Sequence, residues 1–231
     1  MFEVTPLVKE SPSGWKHPTL PEPEFRLLII APSHSGKSVL VSNLISAQNF
    51  PYAEYFGRNI FIVSPTFKFA SMQGMNNIQP QNVFDSFDTS VLQGLLDDQA
   101  ELIERYGKKK AVPFLLIFDD VAADLDKTQK AFLKKLFFGI RHLKGSVILI
   151  SQQYRAVPKA VRMNATDTIL FEITNSAELK DIAEEQAFPA QQFLDVLEYA
   201  TTVAPYSFLT YRHKKKKEHR LQLRFENLYL N

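Results

Sequence analysis

At 231 residues, with 45% hydrophobic positions and 27 Lys+Arg against 25 Asp+Glu, the chain is long enough for one globular domain that buries roughly 70% of its unfolded surface. The absence of cysteine excludes zinc ribbons, iron–sulfur clusters, CxxC redox pairs and thiol nucleophiles. A net charge of +2 is too small to argue for nucleic acid, so distribution has to carry that case. No apolar run approaches the ~18 residues of a membrane helix, and the start MFEVTPLVKESPSG carries no readable secretory signal.

Residues 1–24 hold Pro6, Pro12, Pro18, Pro21 and Pro23, which no helix or central strand accommodates, so they read as an irregular arm with Trp15 as its packing anchor. Residues 25–231 read as a single domain. FRLLIIA (25–31) is a continuous apolar run, the signature of a strand buried on both faces. Positions 37–48 carry Val39, Leu40, Leu44 and Ile45 at helical spacing, and 59–65 form a second buried strand. Residues 66–88, rich in Asn, Gln, Ser and Gly, show no period and read as a loop or insertion. An amphipathic helix over 91–106 precedes a third strand, PFLLIFDD (113–120). A helix over 128–143 leads to a fourth strand at 146–153, and a shorter fifth follows at 167–173. Helical patterns cover 176–186 and 189–199. The tail alternates as SFLTYRH and HRLQLRF around KKKKE, a terminal hairpin over about 205–228. Strands separated by helices predict an α/β fold with a mostly parallel central sheet flanked by helices.

Strand one runs straight into Ala31-Pro-Ser-His-Ser-Gly-Lys-Ser38, and a helix follows at once. That matches the last three positions of the P-loop pattern GxxxxGK[ST] in its strand–loop–helix context, with Ala31 in place of the first glycine. Ser33, His34, Ser35, Gly36, Lys37, Ser38 and Val39 are the expected nucleotide-binding set, their backbone N–H groups closing on phosphate at a helix N-terminus. Lys37 would reach the β/γ oxygens of ATP and the Ser38 hydroxyl would ligate Mg²⁺. Asp119, at the end of the third strand, is the expected second Mg²⁺-site residue. Asp120 stands where an acid orients or deprotonates the attacking water. Gln152, at the tip of the fourth strand, is placed to bond the γ-phosphate or that water. Arg141, Arg155 and Arg162 are basic groups near the expected site edge; a surface or carboxylate-paired arginine is the alternative for each. Asp124 and Asp126 read as solvated charges.

The stretches FRLLIIAPSHSGKS, LLIFDD and IRHLKGSVILISQQYRAVPKAVRMNATD resemble the FtsK–HerA superfamily of P-loop ATPases. Within it they are similar to the poxvirus-type genome-packaging ATPases of large double-stranded DNA viruses and virophages. The superfamily places an arginine shortly before the fourth strand and a glutamine at its end, positions held here by Arg141 and Gln152. The resemblance covers roughly residues 22–175. Two departures stand out: Ala31 replaces a glycine, and Asp120 replaces the usual glutamate, which leaves the catalytic base open.

The resemblance implies an RecA-like fold and a homo-oligomeric ring, a pentamer or hexamer, that threads double-stranded DNA into a viral capsid or portal vertex. ATP would sit between subunits, with an arginine of one completing the site of the next. It also implies work at viral assembly sites in the host cytoplasm, with the virion as a second location. Candidate DNA contacts are Lys214, Lys215, Lys216 and Lys217, with His213 and Arg220 beside them, and the cluster Lys108, Lys109 and Lys110. Lysines of this kind read phosphate and not bases, so binding would be independent of sequence and steeply salt-dependent. The alternatives are another P-loop enzyme such as a small-molecule kinase, or an NTP-gated assembly protein with little turnover.

Overall fold

A computed structural model describes residues 15–45, 50–66, 78–186 and 188–228. The elements in chain order are β1 (Arg26–Ile30), α1 (Lys37–Ile45), α2 (Tyr52–Phe56), β2 (Ile60–Val63), β3 (Val83–Phe84), α3 (Thr89–Tyr106), β4 (Phe114–Asp119) and α4 (Lys127–Gly139). They continue with β5 (Gly145–Ser151), α5 (Lys159–Arg162), β6 (Asp167–Leu170), α6 (Ser176–Glu185), α7 (Ala190–Thr202), β7 (Leu209–Arg212), β8 (Leu221–Leu223) and β9 (Glu226–Asn227).

Among the described residues, nine strands join one sheet in the order β3-β2-β4-β5-β1-β6-β7-β8-β9. The run from β3 to β6 is parallel, and β7, β8 and β9 add antiparallel to it. Because side chains alternate along a strand, each apolar strand feeds two cores. Leu27 and Ile29 of β1 meet Leu40, Val41 and Leu44 of α1 and Tyr52 and Phe56 of α2 on one face. Leu28 and Ile30 meet the face covered by Leu96 of α3, Phe137 of α4, Ile182 of α6 and Phe193 of α7. This double burial is why the strands read as continuous apolar runs.

β5 lies between β1 and β4, and that order brings three strand tips into one row. Ala31, Ser151 and Asp119 end these strands at the same edge, with Ala31 donating its N–H to the Ser151 carbonyl at 3.0 Å.

The C-terminal hairpin forms as expected, with Leu209 opposite Leu223 and Tyr211 opposite Leu221. Elsewhere the elements depart from the sequence pattern. β3 pairs in parallel with β2 inside the stretch expected to be loop; two residues are too few to show a period. Residues 67–77 of that stretch lie outside the described residues. The helix expected over 128–143 ends as α4 at Gly139 and tightens into a 3-10 turn over Ile140–Leu143. Asp126, read as a solvated charge, caps α4: its side chain accepts from the Gln129 N–H while the Gln129 side chain accepts from the Asp126 N–H, a reciprocal capping box.

The described part of the arm packs on its own chain. Trp15 stacks on Tyr52 with ring centroids 5.1 Å apart, and the Tyr52 hydroxyl donates to the Pro21 carbonyl at 2.6 Å. The buried Arg212 guanidinium donates to the Pro18 and Leu20 carbonyls at 2.5 and 2.9 Å and to Asp167 Oδ1 at 3.0 Å.

Candidate nucleotide site

The loop after β1 is shaped by backbone conformation. His34 and Gly36 have φ of 63° and 91°, and such left-handed residues among right-handed neighbours turn N–H groups toward one concavity. Ala31 is fully buried and is not among the positive-φ residues, so its Cβ is tolerated where the motif has glycine. Gly36 has no such latitude. A Cβ there would meet Tyr206 Cδ1 at 3.1 Å, on a backbone that L residues rarely adopt. α1 opens at Lys37 with no acidic residue in its first turn, leaving the positive end of its dipole to the loop. The Ser35 hydroxyl is buried with no hydrogen-bond partner among the described residues, a polar group suited to a ligand that enters the concavity.

Asp119 closes β4 opposite the loop. Burial pushes its carboxyl above the usual range. The Ser64 hydroxyl and the Lys37 charge pull the other way, and Asp120 adds to the upward shift. Ser64 Oγ donates to Asp119 Oδ2 at 3.2 Å. The partly buried Asp119 carboxylate and the exposed Ser38 hydroxyl are both oxygen donors, the type that fits a hard divalent cation shared with phosphates and water. Asp120 holds φ at 57°, a conformation Asp tolerates better than most residues, and anchors its N–H on the Ile150 carbonyl at 3.2 Å.

Gln152 joins the two halves. Its Nε2 donates to Asp120 Oδ2, and its Oε1 accepts from Ser33 Oγ at 3.0 Å. A polar chain Ser33–Gln152–Asp120 thus runs from the phosphate loop across the β5 tip to the β4 tip. Sequence reasoning singled out Ser33, Gln152 and Asp120 separately but missed Ser64; its only signal is a polar residue at the end of an apolar strand.

The arginines part company. Arg162 forms a two-pronged pair with Glu185, at 2.9 and 2.6 Å, and its guanidinium lies 4.5 Å over the Tyr154 ring. Arg155 pairs with Asp181 at 2.5 Å. Arg141 is exposed, and its guanidinium has no hydrogen-bond or carboxylate partner among the described residues. It precedes β5, whereas Gln152 follows it; seven residues of strand put them roughly 20 Å apart at opposite edges of the sheet. Arg26, at the start of β1, has its guanidinium pushed below its ordinary value by burial first and by the Arg141 charge next, which places Arg141 at that far edge.

The turn carrying Lys214, Lys215, Lys216 and Lys217 follows β7, which runs antiparallel to β6, and therefore reaches the same far edge. The connection from α3 to β4 bearing Lys108, Lys109 and Lys110 reaches it too. Two groups change character. Lys108 Nζ pairs with Glu24 at 2.8 Å and donates to the Arg141 carbonyl at 2.7 Å, so it braces the fold. His213, counted with the basic cluster, hydrogen-bonds Thr168 Oγ1 at 2.8 Å. Burial, then the charges of Arg220 and Lys214, lower it to about 4, which leaves it neutral near pH 7.

The family model described as Poxvirus A32 protein matches residues 13–200. The DNA packaging protein OPG160 of Vaccinia virus (strain Copenhagen) is 30% identical over 154 residues, 66% of this chain and 54% of the relative. The same protein of Variola virus matches with the same figures, so the chain spans about half the length of these curated relatives. Among solved structures, the genome packaging NTPase B204 from Sulfolobus turreted icosahedral virus 2, in complex with AMPPCP, superposes with a TM-score of 0.62 at 18% identity. That match covers 89% of this chain and 100% of B204. EssC (ATPases 2 and 3) from Geobacillus thermodenitrificans superposes with a TM-score of 0.60 at 11% identity, over 88% of this chain and 40% of EssC. At these identities the structural likeness establishes the fold.

Proposed function

The chain belongs to the Poxvirus A32 protein family, and from that membership and its site we propose that it is an ATPase whose turnover drives double-stranded DNA into a viral capsid. The observation that carries this is the polar chain Ser33–Gln152–Asp120 beside Lys37 and Asp119. It ties the phosphate loop to the one acid placed to act on water. The loop N–H groups and Lys37 hold the β- and γ-phosphates. Ser38 and Asp119 would hold Mg²⁺, which neutralises phosphate charge when bound. Asp120 orients water and takes its proton as the water oxygen bonds to the γ-phosphorus. The bond to the bridging oxygen breaks, leaving ADP and phosphate. Gln152 holds Asp120 in register with the loop, so loss of the γ-phosphate is felt at the strand tip.

Arg141 sits too far from its own loop to assist, which supports action on a neighbouring subunit's nucleotide in a ring of five or six. Lys214 to Lys217 contact DNA phosphates without regard to sequence. The capsid or its portal vertex, at assembly sites in the host cytoplasm, is the docking partner.

Steady-state ATP hydrolysis with and without double-stranded DNA, alongside light scattering for mass, tests this reading. DNA-stimulated hydrolysis by a multi-subunit particle is expected. Hydrolysis indifferent to DNA would favour another P-loop enzyme, and nucleotide binding without turnover an NTP-gated assembly protein.

A further inference from the structure

A cleft of about 780 Å³ opens beside the phosphate loop, within the size range of small-molecule sites. Gly36, Val39 and Asn43 line one side, and Pro205, Tyr206 and Arg224 the other. The two sides come from distant parts of the chain, the phosphate loop with α1 and the turns before β7 and between β8 and β9. A triphosphate anchored at Gly36 to Ser38 must send its nucleoside outward from that anchor, and this cleft shares those residues.

Tyr206 and Arg224 stand out on the far wall. Tyr206 is 70% exposed, although an aromatic ring gains most from burial. It holds φ at 57°, strain that an exposed tyrosine has no packing reason to carry, in a turn closed by Ser207 N–H on the Ala204 carbonyl at 3.2 Å. Its ring lies against the loop glycine. Arg224 holds φ at 55°, as the two-residue turn between β8 and β9 requires, is fixed by its N–H on the Phe208 carbonyl at 2.9 Å, and makes no ion pair among the described residues. Two planar groups, one aromatic and one guanidinium, both exposed, are thus held by tight turns on the rim of one cleft.

We propose that Tyr206 and Arg224 form the seat of the nucleobase, Tyr206 as the stacking platform and Arg224 as a second flat surface. The assignment rests on the loop being a nucleotide site. Stacking on an aromatic face depends on the base having a π-face, and a guanidinium plane stacks on aromatic rings in the same way. The turns of the C-terminal segment, outside the stretch that carries the phosphate loop and the acids, then determine affinity for the nucleoside half of the substrate.

Calorimetric titration of the full chain with ATP and with inorganic tripolyphosphate, both with Mg²⁺, separates the two halves of the ligand. Tyr206→Ala should weaken ATP about tenfold and leave tripolyphosphate unchanged, with Tyr206→Phe close to the parent. Arg224→Ala should weaken ATP severalfold with tripolyphosphate again unchanged. Unaltered ATP affinity in Tyr206→Ala, or an equal loss for both ligands, overturns the platform. A loss shared by tripolyphosphate in Arg224→Ala removes Arg224 from the base. If Lys37→Ala binds both ligands as the parent does, the loop is not the phosphate site and the underlying reading falls with it. Tyr206 is exposed, so its variants leave the core intact, and circular dichroism confirms that each folds.

Discussion

Asp120 is where residue chemistry decides most. Its carboxylate is fixed from one side by Gln152 and through it by Ser33, while its backbone is held in a left-handed conformation. Asp120→Asn keeps a hydrogen-bonding side chain of the same size but cannot take a proton. Its kcat for ATP hydrolysis should fall by about 10² to 10⁴, with nucleotide affinity retained; a variant with undiminished kcat would mean that another group activates the water. His213 sets a different test. Its folded value is lowered to about 4 from 6.5, by burial and by the repulsion of Arg220 and Lys214. Between these values the unfolded chain binds a proton that the folded chain refuses. Stability is therefore full above pH 6.5 and is lost as pH falls toward 4, by at most about 3 kcal/mol. Urea denaturation at stepped pH should show that loss, and His213→Gln, which keeps a hydrogen-bonding side chain without a titrating ring, should flatten it.

At the scale of elements, the placement of β5 between β1 and β4 brings the loop, the glutamine and the two acids together. The hydrophobic runs of all three strands were readable, because burial on both faces leaves a continuous apolar signature. Their lateral order was not, because strand pairing is a long-range choice. β3 and α2 escaped sequence reading for a simpler reason: elements of two and five residues have no room for a period. The turn between β7 and β8 belongs to this scale as well. Converting Lys214, Lys215, Lys216 and Lys217 together to Ala should reduce the slope of log affinity for double-stranded DNA against log salt by about 0.9 for each lysine on a phosphate. ATP affinity in the absence of DNA should stay unchanged, since this turn lies at the sheet edge opposite the loop. Fluorescence anisotropy across a salt series reads the slope, and an unchanged slope would assign these lysines to solvation only.

At the scale of the whole molecule, the two edges of the sheet divide the work. One carries Lys37, Asp119, Asp120 and Gln152; the other carries Arg141, the lysine turn and the Lys108 to Lys110 connection. In the ring proposed above, one subunit's far edge would meet its neighbour's loop edge, a head-to-tail contact of the kind that generates rings where its rotation closes. Arg141→Ala should bind ATP as the parent does and lose turnover. Mixing it with Lys37→Ala, itself inactive, should restore part of the activity, because some interfaces then pair an intact loop with an intact arginine. Mixtures no more active than either variant alone would rule out action between subunits.

The residues of the chain alone pointed to the phosphate loop and to the paired acids. GKS after a buried strand and DD at the end of another are local patterns, and the backbone requirements behind them are satisfied within a few residues. Apolar runs and helical spacing likewise determined the α/β layering, since burial acts on each segment by itself. Only the tertiary structure decided what those patterns meet. It paired Arg155 and Arg162 with carboxylates, left Arg141 without a carboxylate at the far edge among the described residues, tied the half-buried His213 to Thr168, and set Tyr206 and Arg224 beside a loop far earlier in the chain. Those outcomes depend on which distant segments pack together, and no short window of sequence encodes that choice.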